Sequence, residues 1–257
     1  MIGWSQPGIK RWAPGAMALL AVMLFPMAGA SAQPGLPDFH RITDLTTKKE
    51  EFFRFLLPLV EAENLRLSNL RRRLGYIQDH LRFQRPLNAR DQQWLAAIKD
   101  EFRLPPGDPE IPEFWPALLR RVDTVPVDLV LVQAANESAW GTSRFAREGN
   151  NLFGQWCFRP GCGIVPAERP VGATYEVAIF DSVGDCISSY MHNLNTGRVY
   201  ENLRVVRERC RSEKRSPEAD ELARGLTSYS ERGKAYVNEI RAMLRQNAGV
   251  IAQLGPR

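Results

Sequence analysis

Residues 125–156 read VPVDLVLVQAANESAWGTSRFAREGNNLFGQW, and they decide the fold of the second half of this 257-residue chain. The nearly unbroken apolar run predicts a buried helix that ends near a single acidic residue, Glu137. At helical spacing Val130, Gln133 and Ala134 fall on the same face as Glu137. Desolvation at the end of a buried helix raises a carboxyl pKa, which keeps the group protonated for general-acid catalysis. The alternative is a solvent-exposed Glu on the last helical turn.

Three motifs in this half of the chain carry a resemblance to a known family. Residues 133–141 (QAANESAWG) followed by 151–154 (NLFG) resemble the signature of the peptidoglycan N-acetylglucosaminidases of glycoside hydrolase family 73. The longer form, 150–157 (NNLFGQWC) with GCG at 161–163, is similar to the Bax-type proteins of Gram-negative bacteria. A third patch, residues 228–236 (SYSERGKAY), matches the Tyr-containing turn before the last helix of the family.

The resemblance runs from about residue 125 to 247 and implies an α+β, mostly α fold. We expect a lysozyme-like catalytic domain with a small β-hairpin lobe beside the cleft, preceded by a helical N-terminal region. Five prolines between residues 105 and 116 predict a connector there. The expected organisation is a signal peptide (1–32), a helical N-terminal region (33–104), a proline-rich connector (105–116) and a glucosaminidase domain (117–257).

The resemblance assigns the general acid to Glu137. The second catalytic carboxylate of the family lies on the β lobe, where this chain offers Glu176 on a predicted strand and Glu168 in the loop before it. We favour Glu176, although a solvent-facing strand residue is an open alternative. The sequence also leaves open a mechanism with one carboxylate, assisted by the acetamido group of the substrate. Tyr229 matches the Tyr that the family places across the cleft from the acid.

Further residues are candidates for contact with substrate. Trp140 and Phe153 are expected to form apolar walls against sugar rings, or else to belong to the core. Asn151 is expected to fix the turn around Phe153 more than to bind substrate. Tyr190 and Tyr236 are interpreted as packing residues.

The N-terminal segment predicts export. Lys10 and Arg11 precede an apolar stretch that ends in the small-residue cleavage pattern Ala30-Ser31-Ala32. The stretch is too short for a comfortable membrane span, so we expect a periplasmic protein without stable membrane insertion. Cleavage leaves 225 residues, and the net charge falls from +5 to about +3 because two cations are removed. This mild charge suits an anionic wall polymer, and the chain has no nucleic-acid motif.

An exported chain with an even number of cysteines predicts disulfide bonds. Cys157 and Cys162 flank a Pro-Gly turn and are expected to close a small loop, which leaves Cys186 to pair with Cys210 by elimination. Zinc is the competing interpretation, but the histidines do not cluster in the sequence. We therefore predict neither a metal nor a cofactor.

Local patterns predict several helices outside the motifs. A helix from Lys48 is expected to end near Gly75, with a separate short helix over residues 76–83. Asn88 is a good N-cap for the following helix. A basic helix over residues 200–211 is interpreted as a solvated face; its arginines are Arg204, Arg207, Arg209 and Arg211.

The predicted function is hydrolysis of β-1,4 bonds after N-acetylglucosamine in peptidoglycan glycan strands. A lytic transglycosylase is one alternative. That class follows its catalytic Glu with a Gly-Leu-Met-Gln type of turn, whereas residues 151–154 read NLFG here. A non-catalytic wall-binding scaffold protein is the alternative from another class.

Overall fold

The computed structural model describes residues 35–111 and 113–255, which belong to one compact unit. The predicted signal peptide lies outside the described residues. The α-helices are α1 (Leu45–Arg82), α2 (Ala89–Glu101), α3 (Phe114–Arg121), α4 (Val127–Ser138), α5 (Arg144–Gly149), α6 (Val183–Thr196), α7 (Glu201–Ser212), α8 (Ala219–Ala223) and α9 (Lys234–Ala252). The strands are β1 (Trp156–Cys157), β2 (Gly163–Ile164) and β3 (Glu176–Ala178). The mostly helical α+β fold is confirmed, with a helical region ahead of α4.

Helix α1 is longer than the sequence predicts. The expected break near Gly75 is wrong, because Leu74 and Ile77 are both buried and continue the apolar stripe of one uninterrupted helix. Pro58 lies inside α1 on its exposed face. Proline has no N–H, so one carbonyl of the preceding turn has no helical hydrogen-bond donor. On the exposed face that carbonyl can reach water. Asn88 caps α2 as predicted, since its side chain accepts from the backbone N–H of Asp91 at 2.9 Å.

Helix α4 forms the centre of the fold. It packs against α1, α8 and α9, and all its residues from Leu129 to Ala135 are buried. This enclosure explains why the sequence of α4 is apolar on every face rather than on one stripe. Helix α3 begins at Phe114, inside the predicted connector, and the predicted domain boundary at residues 105–116 stays a prediction.

The β lobe follows α5 and is an antiparallel sheet of order β1-β3-β2, so the expected hairpin carries a third short strand. Gly163 pairs with Ala178, and a Cβ at position 163 would lie 2.0 Å from the carbonyl oxygen of Val177. Only glycine therefore permits this close approach of the two strands.

The prediction of a solvated arginine face on α7 is wrong for Arg204 and Arg207, which are both 1% exposed. Arg207 donates to the backbone carbonyls of Arg120 at 2.9 Å and Thr124 at 3.0 Å, just before α4 begins. Asp123 in the same segment is 2% exposed and lies 3.7 Å from Arg207. A buried charge is stable only with charged or hydrogen-bonded partners. Arg207 of α7 and the segment before α4 provide such partners for each other.

Asp123 has two further arginine partners. Arg211 binds both carboxylate oxygens, at 2.8 and 3.1 Å, and Arg71 of α1 lies at 3.5 Å. Burial would raise the pKa of Asp123, but Arg207, Arg211 and Arg71 outweigh it and hold the pKa below its usual range. The carboxylate therefore ties α1 and α7 to the start of α4.

Within residues 35–111 and 113–255, no helix combines the length and the apolar character that crossing a bilayer requires.

Candidate active site

Glu137 lies on the last turn of α4, and the local sequence explains how that helix ends. The hydroxyl of Ser138 donates to the carbonyl of Ala134 at 2.6 Å and accepts the N–H of Gly141 at 2.8 Å. Gly141 adopts φ +75°, and a Cβ there would lie 2.6 Å from a ring carbon of Phe39. Helix α4 ends at Ser138 with Ala139 as a left-handed C-cap, and the turn that follows needs glycine at position 141 for both reasons.

The surroundings of Glu137 favour its protonated form. The side chain is half-buried, and burial raises its pKa above the usual value. Hydrogen bonds from Tyr236 and from Asn136, whose Nδ2 lies 3.2 Å from Oε1, act in the opposite direction. Glu239 raises the pKa further and Arg232 lowers it. The net shift is upward, which is the direction that a general acid requires.

A buried hydrogen-bond chain connects Glu137 to α6 and α9. Tyr190 donates from its hydroxyl to Oε1 of Gln133, and Gln133 donates from Nε2 to the Tyr236 hydroxyl at 2.9 Å. All three side chains are buried. Tyr236 also acts on Glu137, whose pKa it lowers. Tyr190 and Tyr236 were interpreted as packing residues, whereas the structure gives both of them polar contacts beside the proposed acid.

Tyr229 joins this group of aromatic rings. Its ring stacks on Tyr236 with centroids 5.1 Å apart, and its hydroxyl donates to the backbone carbonyl of Phe153 at 3.3 Å. The Phe153 ring stacks on Tyr190 at 3.8 Å. Burial raises the pKa of Tyr229 well above its usual value, and the negative charge of Glu137 adds to this shift. The structure thus brings Glu137, Tyr229 and Phe153 together, with Tyr229 as a neutral hydroxyl.

The indole ring of Trp140 contacts side chains of α1. The indole of Trp140 packs edge-on against Phe52 at 5.7 Å and Phe53 at 5.2 Å, and Lys49 lies 5.1 Å from its centroid. These contacts place the ring against α1.

Asn151 is buried and uses both ends of its amide inside its own turn. Its Nδ2 donates to the carbonyls of Gln155 and Ala178, and its Oδ1 accepts from the N–H groups of Phe153 and Gln155. It therefore holds the turn around Phe153 and joins that turn to β3.

Glu176 is the first residue of β3, and its side chain contacts the loop that the Cys157–Cys162 disulfide closes. Its two carboxylate oxygens accept from the backbone N–H groups of Gly161 at 3.1 Å and Gly163 at 2.8 Å. These bonds lower the pKa of Glu176, so it stays ionised. This geometry gives Glu176 a structural contact; a catalytic role for it stays a prediction.

The predicted Cys157–Cys162 disulfide is confirmed, but the pairing of Cys186 with Cys210 is wrong. Both are buried free thiols that lie on different helices, α6 and α7. Cys186 accepts from the N–H of Leu152 at 3.4 Å, and Cys210 lies 3.3 Å from a carboxylate oxygen of Glu221. Elimination failed because a buried thiol can serve as a small core side chain.

The β lobe groups three potential metal ligands within 4.8 Å of one another: the sulfurs of Cys157 and Cys162 and the Glu176 carboxylate. Both sulfurs are consumed by the disulfide, and a metal binds the thiolate form. This group therefore lacks the donor set of a metal site.

Glu168, the other candidate carboxylate, lies exposed in a turn before β3. The same lobe exposes an aromatic pair that the sequence analysis did not single out. Trp156 is 57% exposed and stacks on Tyr175 with centroids 4.2 Å apart and planes inclined by 11°. Phe158 on the disulfide loop is also exposed. Flat, exposed rings of this kind can stack on sugar rings.

Gln133 is the main residue of the site that sequence reasoning missed. A signal was available, because Gln133 interrupts an apolar run and falls on the Glu137 face one turn earlier. The contact with Tyr236 could not be inferred, since it joins residues 103 positions apart.

Cavity size does not identify this site. A cavity of about 720 Å³ lies at the other end of α4, where its lining includes Asp128, Arg211 and Arg245. Another, of about 930 Å³, lies between the end of α1 and the segment before α3. Glu137 lines neither cavity. The candidate site is instead marked by Glu137 and by the buried hydrogen bonds among Tyr190, Gln133 and Tyr236.

Comparisons with known proteins show the family of this chain. Residues 116–249 match the glucosaminidase family, described as mannosyl-glycoprotein endo-beta-N-acetylglucosaminidase, over about half of the chain. A curated relative, Protein bax of Escherichia coli (strain K12), is 32% identical over 219 residues, covering 84% of this chain and 76% of the relative. The comparison with solved structures gives no significant match. The chain therefore belongs to the glucosaminidase family, whose domains are glycosidases acting on glycans, as a Bax-type member.

Proposed function

We propose that the protein hydrolyses β-1,4 bonds after N-acetylglucosamine in peptidoglycan glycan strands, with Glu137 as the general acid. The observation that carries the proposal is the half-buried carboxyl group at the end of α4, beside the buried Gln133–Tyr236 hydrogen bond, with a pKa that burial raises. A glycosidic oxygen leaves only when it is protonated, and a carboxyl group with a raised pKa is better able to supply that proton.

Hydrolysis also requires that the positive charge developing at the anomeric carbon is stabilised. Glu176 is ionised, but both of its oxygens are hydrogen-bonded to the disulfide loop. This arrangement favours the acetamido group of the substrate as the nucleophile. Its oxygen would bond to the anomeric carbon as the glycosidic bond breaks and Glu137 protonates the leaving oxygen. Glu137 would then take a proton from the water that opens the cyclic intermediate.

Tyr229 is the side chain best suited to orient that acetamido group. Its high pKa keeps the hydroxyl protonated, and its contact with the Phe153 carbonyl is long at 3.3 Å. A hydroxyl held by one weak bond can exchange that bond for one to substrate. The exposed Trp156–Tyr175 pair offers a flat apolar surface for a neighbouring sugar ring.

The proposed location is the periplasm, where the glycan strands lie. It rests on the signal-peptide pattern of residues 1–32 and on the cysteine chemistry, because the loop disulfide forms in an oxidising compartment. The mildly basic composition suits an anionic polymer. We propose no protein partner and no cofactor.

Analysis of products tests the proposal. The purified protein is incubated with peptidoglycan sacculi, and the soluble fragments are identified by mass spectrometry before and after borohydride reduction. We expect fragments that end in reducing N-acetylglucosamine. Anhydro-muramic ends would replace the proposal with a lytic transglycosylase. Binding to sacculi without soluble fragments would indicate a scaffold protein.

A further inference from the structure

Gln133 is a polar side chain in an environment that otherwise excludes polar groups. It has no exposed surface, and its neighbours on α4 from Leu129 to Ala135 are apolar and buried. A buried amide that lacks partners destabilises a fold, so such a residue is tolerated only where its bonds are satisfied. Gln133 satisfies both ends of its amide on two tyrosines, Tyr190 and Tyr236.

The direction of each hydrogen bond follows from the chemistry of the groups. The hydroxyl of Tyr190 donates to Oε1 of Gln133, which leaves the Nε2 amide of Gln133 as a donor. That amide donates to the hydroxyl oxygen of Tyr236 at 2.9 Å. The Tyr236 oxygen therefore acts as an acceptor toward Gln133, and its own proton points elsewhere. Glu137 lies one turn after Gln133 on the same face of α4, and Tyr236 lowers its pKa, so Glu137 is the acceptor toward which that proton can point.

We propose that Gln133 is a positioning residue that fixes the Tyr236 hydroxyl as a donor to Glu137. The inference rests on the proposed function and deepens it. Asn136 already donates to Glu137 at 3.2 Å, and with Tyr236 also held as a donor the carboxyl group does not use its own O–H on these neighbours. That O–H is then available to the glycosidic oxygen. Gln133 acts only through Tyr236 and does not touch substrate.

The chain of bonds also sets how strongly Tyr236 stabilises the ionised form of Glu137. A hydroxyl that accepts a hydrogen bond is a better donor, because successive hydrogen bonds polarise one another. Removing the Gln133 amide weakens the donation from Tyr236 and raises the pKa of Glu137. Removing the Tyr236 hydroxyl has a larger effect in the same direction.

Other groups around Glu137 also affect its titration and have to remain unchanged in the test. The charged ones are Glu239 and Arg232. Four tyrosines also interact electrostatically with Glu137. They are Tyr190 on α6, Tyr200 in the turn before α7, Tyr229 in the segment before α9 and Tyr236 on α9. None of them except Tyr236 is altered in the variants below.

The test is a double-mutant cycle on Gln133→Met and Tyr236→Phe, read by the pKa of Glu137. That pKa is measured by NMR from the carboxyl carbon and, in parallel, from the alkaline limb of the kcat profile on sacculi. For Gln133→Met we expect the pKa to rise by about one unit, since the interaction lost is part of one hydrogen bond to a charged group. In the Tyr236→Phe background, Gln133→Met should cause no further rise.

Asn247→Leu is the matched control, because it removes another buried amide, one that donates to Met243 on α9. The Oδ1 of Asn247 is buried without a hydrogen-bond partner, so Leu should cost little stability and should not move the pKa of Glu137. An unchanged pKa in Gln133→Met, or an equal rise in both backgrounds, would overturn the proposal. The NMR titration needs no substrate, so it separates a failure of this inference from a failure of the proposed function.

Discussion

Replacing Asp123 by Asn should destabilise the protein strongly, although Asp123 lies away from the proposed acid. The side chain is 3% exposed and contacts three arginines, namely Arg71, Arg207 and Arg211. Asn keeps the shape but removes the charge. Removing one partner from a buried ion pair lowers the free energy of unfolding by about 3–5 kcal/mol, because the remaining charge stays buried. For a chain of this size that corresponds to a fall in Tm of roughly 10 °C.

Asp220→Asn is the matched control. Asp220 also contacts three arginines, Arg224, Arg241 and Arg245, but its side chain is 36% exposed. Exposed ion pairs contribute about 0–1 kcal/mol, so this variant should unfold almost as the parent does. Urea denaturation followed by circular dichroism gives both values. If both variants lose less than about 1 kcal/mol in the free energy of unfolding, burial does not make the contacts of Asp123 stronger than those of Asp220.

The pH dependence of unfolding offers a second check on Asp123. Its pKa is lower in the folded state than in the unfolded state, since the three arginines outweigh the effect of burial. Its contribution to stability is therefore present above the unfolded-state pKa and is lost as the pH falls through the lower folded-state pKa. The Asn variant should lack this part of the acid dependence. Parallel curves for the variant and the parent would contradict the assignment.

Three further predictions concern the β lobe and the cysteines. Under denaturing conditions without reductant, alkylation should label Cys186 and Cys210 and leave the loop disulfide unlabelled; a Cys186–Cys210 cross-link in the peptide map would contradict the structure. Glu176→Gln should lower the temperature at which the β lobe unfolds, measured by hydrogen exchange. The side-chain amide of Gln would place an N–H donor opposite a backbone N–H that now donates to a carboxylate oxygen. A loss of turnover without any loss of hydrogen-exchange protection would instead support a catalytic role. Trp156→Ala should raise KM on sacculi with little change in kcat, whereas Phe158→Ala should change neither; equal effects would remove Trp156 as a sugar contact.

Local signals predicted a large part of the fold. The apolar run before Glu137 predicted α4, and Asn88 predicted the start of α2, because a buried helix and an N-cap are both properties of a few consecutive residues. The mostly helical class and the small sheet also followed from the motifs. Within the site, the apolar run predicted that Glu137 lies at the end of α4, and the family resemblance assigned it the role of general acid, which stays a prediction.

The failures share a physical cause. Arg207 looked like part of a solvated face because its partners, the carbonyls before α4, lie more than 80 positions earlier in the chain. Cys186 and Cys210 looked like a pair because counting cysteines cannot show that each is buried separately. The contact between Gln133 and Tyr236 was missed for the same reason as the partners of Arg207, since tertiary contacts decide which polar residues are buried.

The most direct test of the central claim compares Glu137→Gln with Glu239→Gln in single-turnover digestion of sacculi. Both substitutions remove one carboxylate from the same region, but only Glu137 carries the proposed acid function. General-acid catalysis contributes about 10²–10⁴-fold, so Glu137→Gln should lower the rate by at least about 10²-fold while binding to sacculi is kept. Glu239→Gln should stay within a few-fold of the parent. A Glu137→Gln variant that releases fragments at the parental rate would contradict the account.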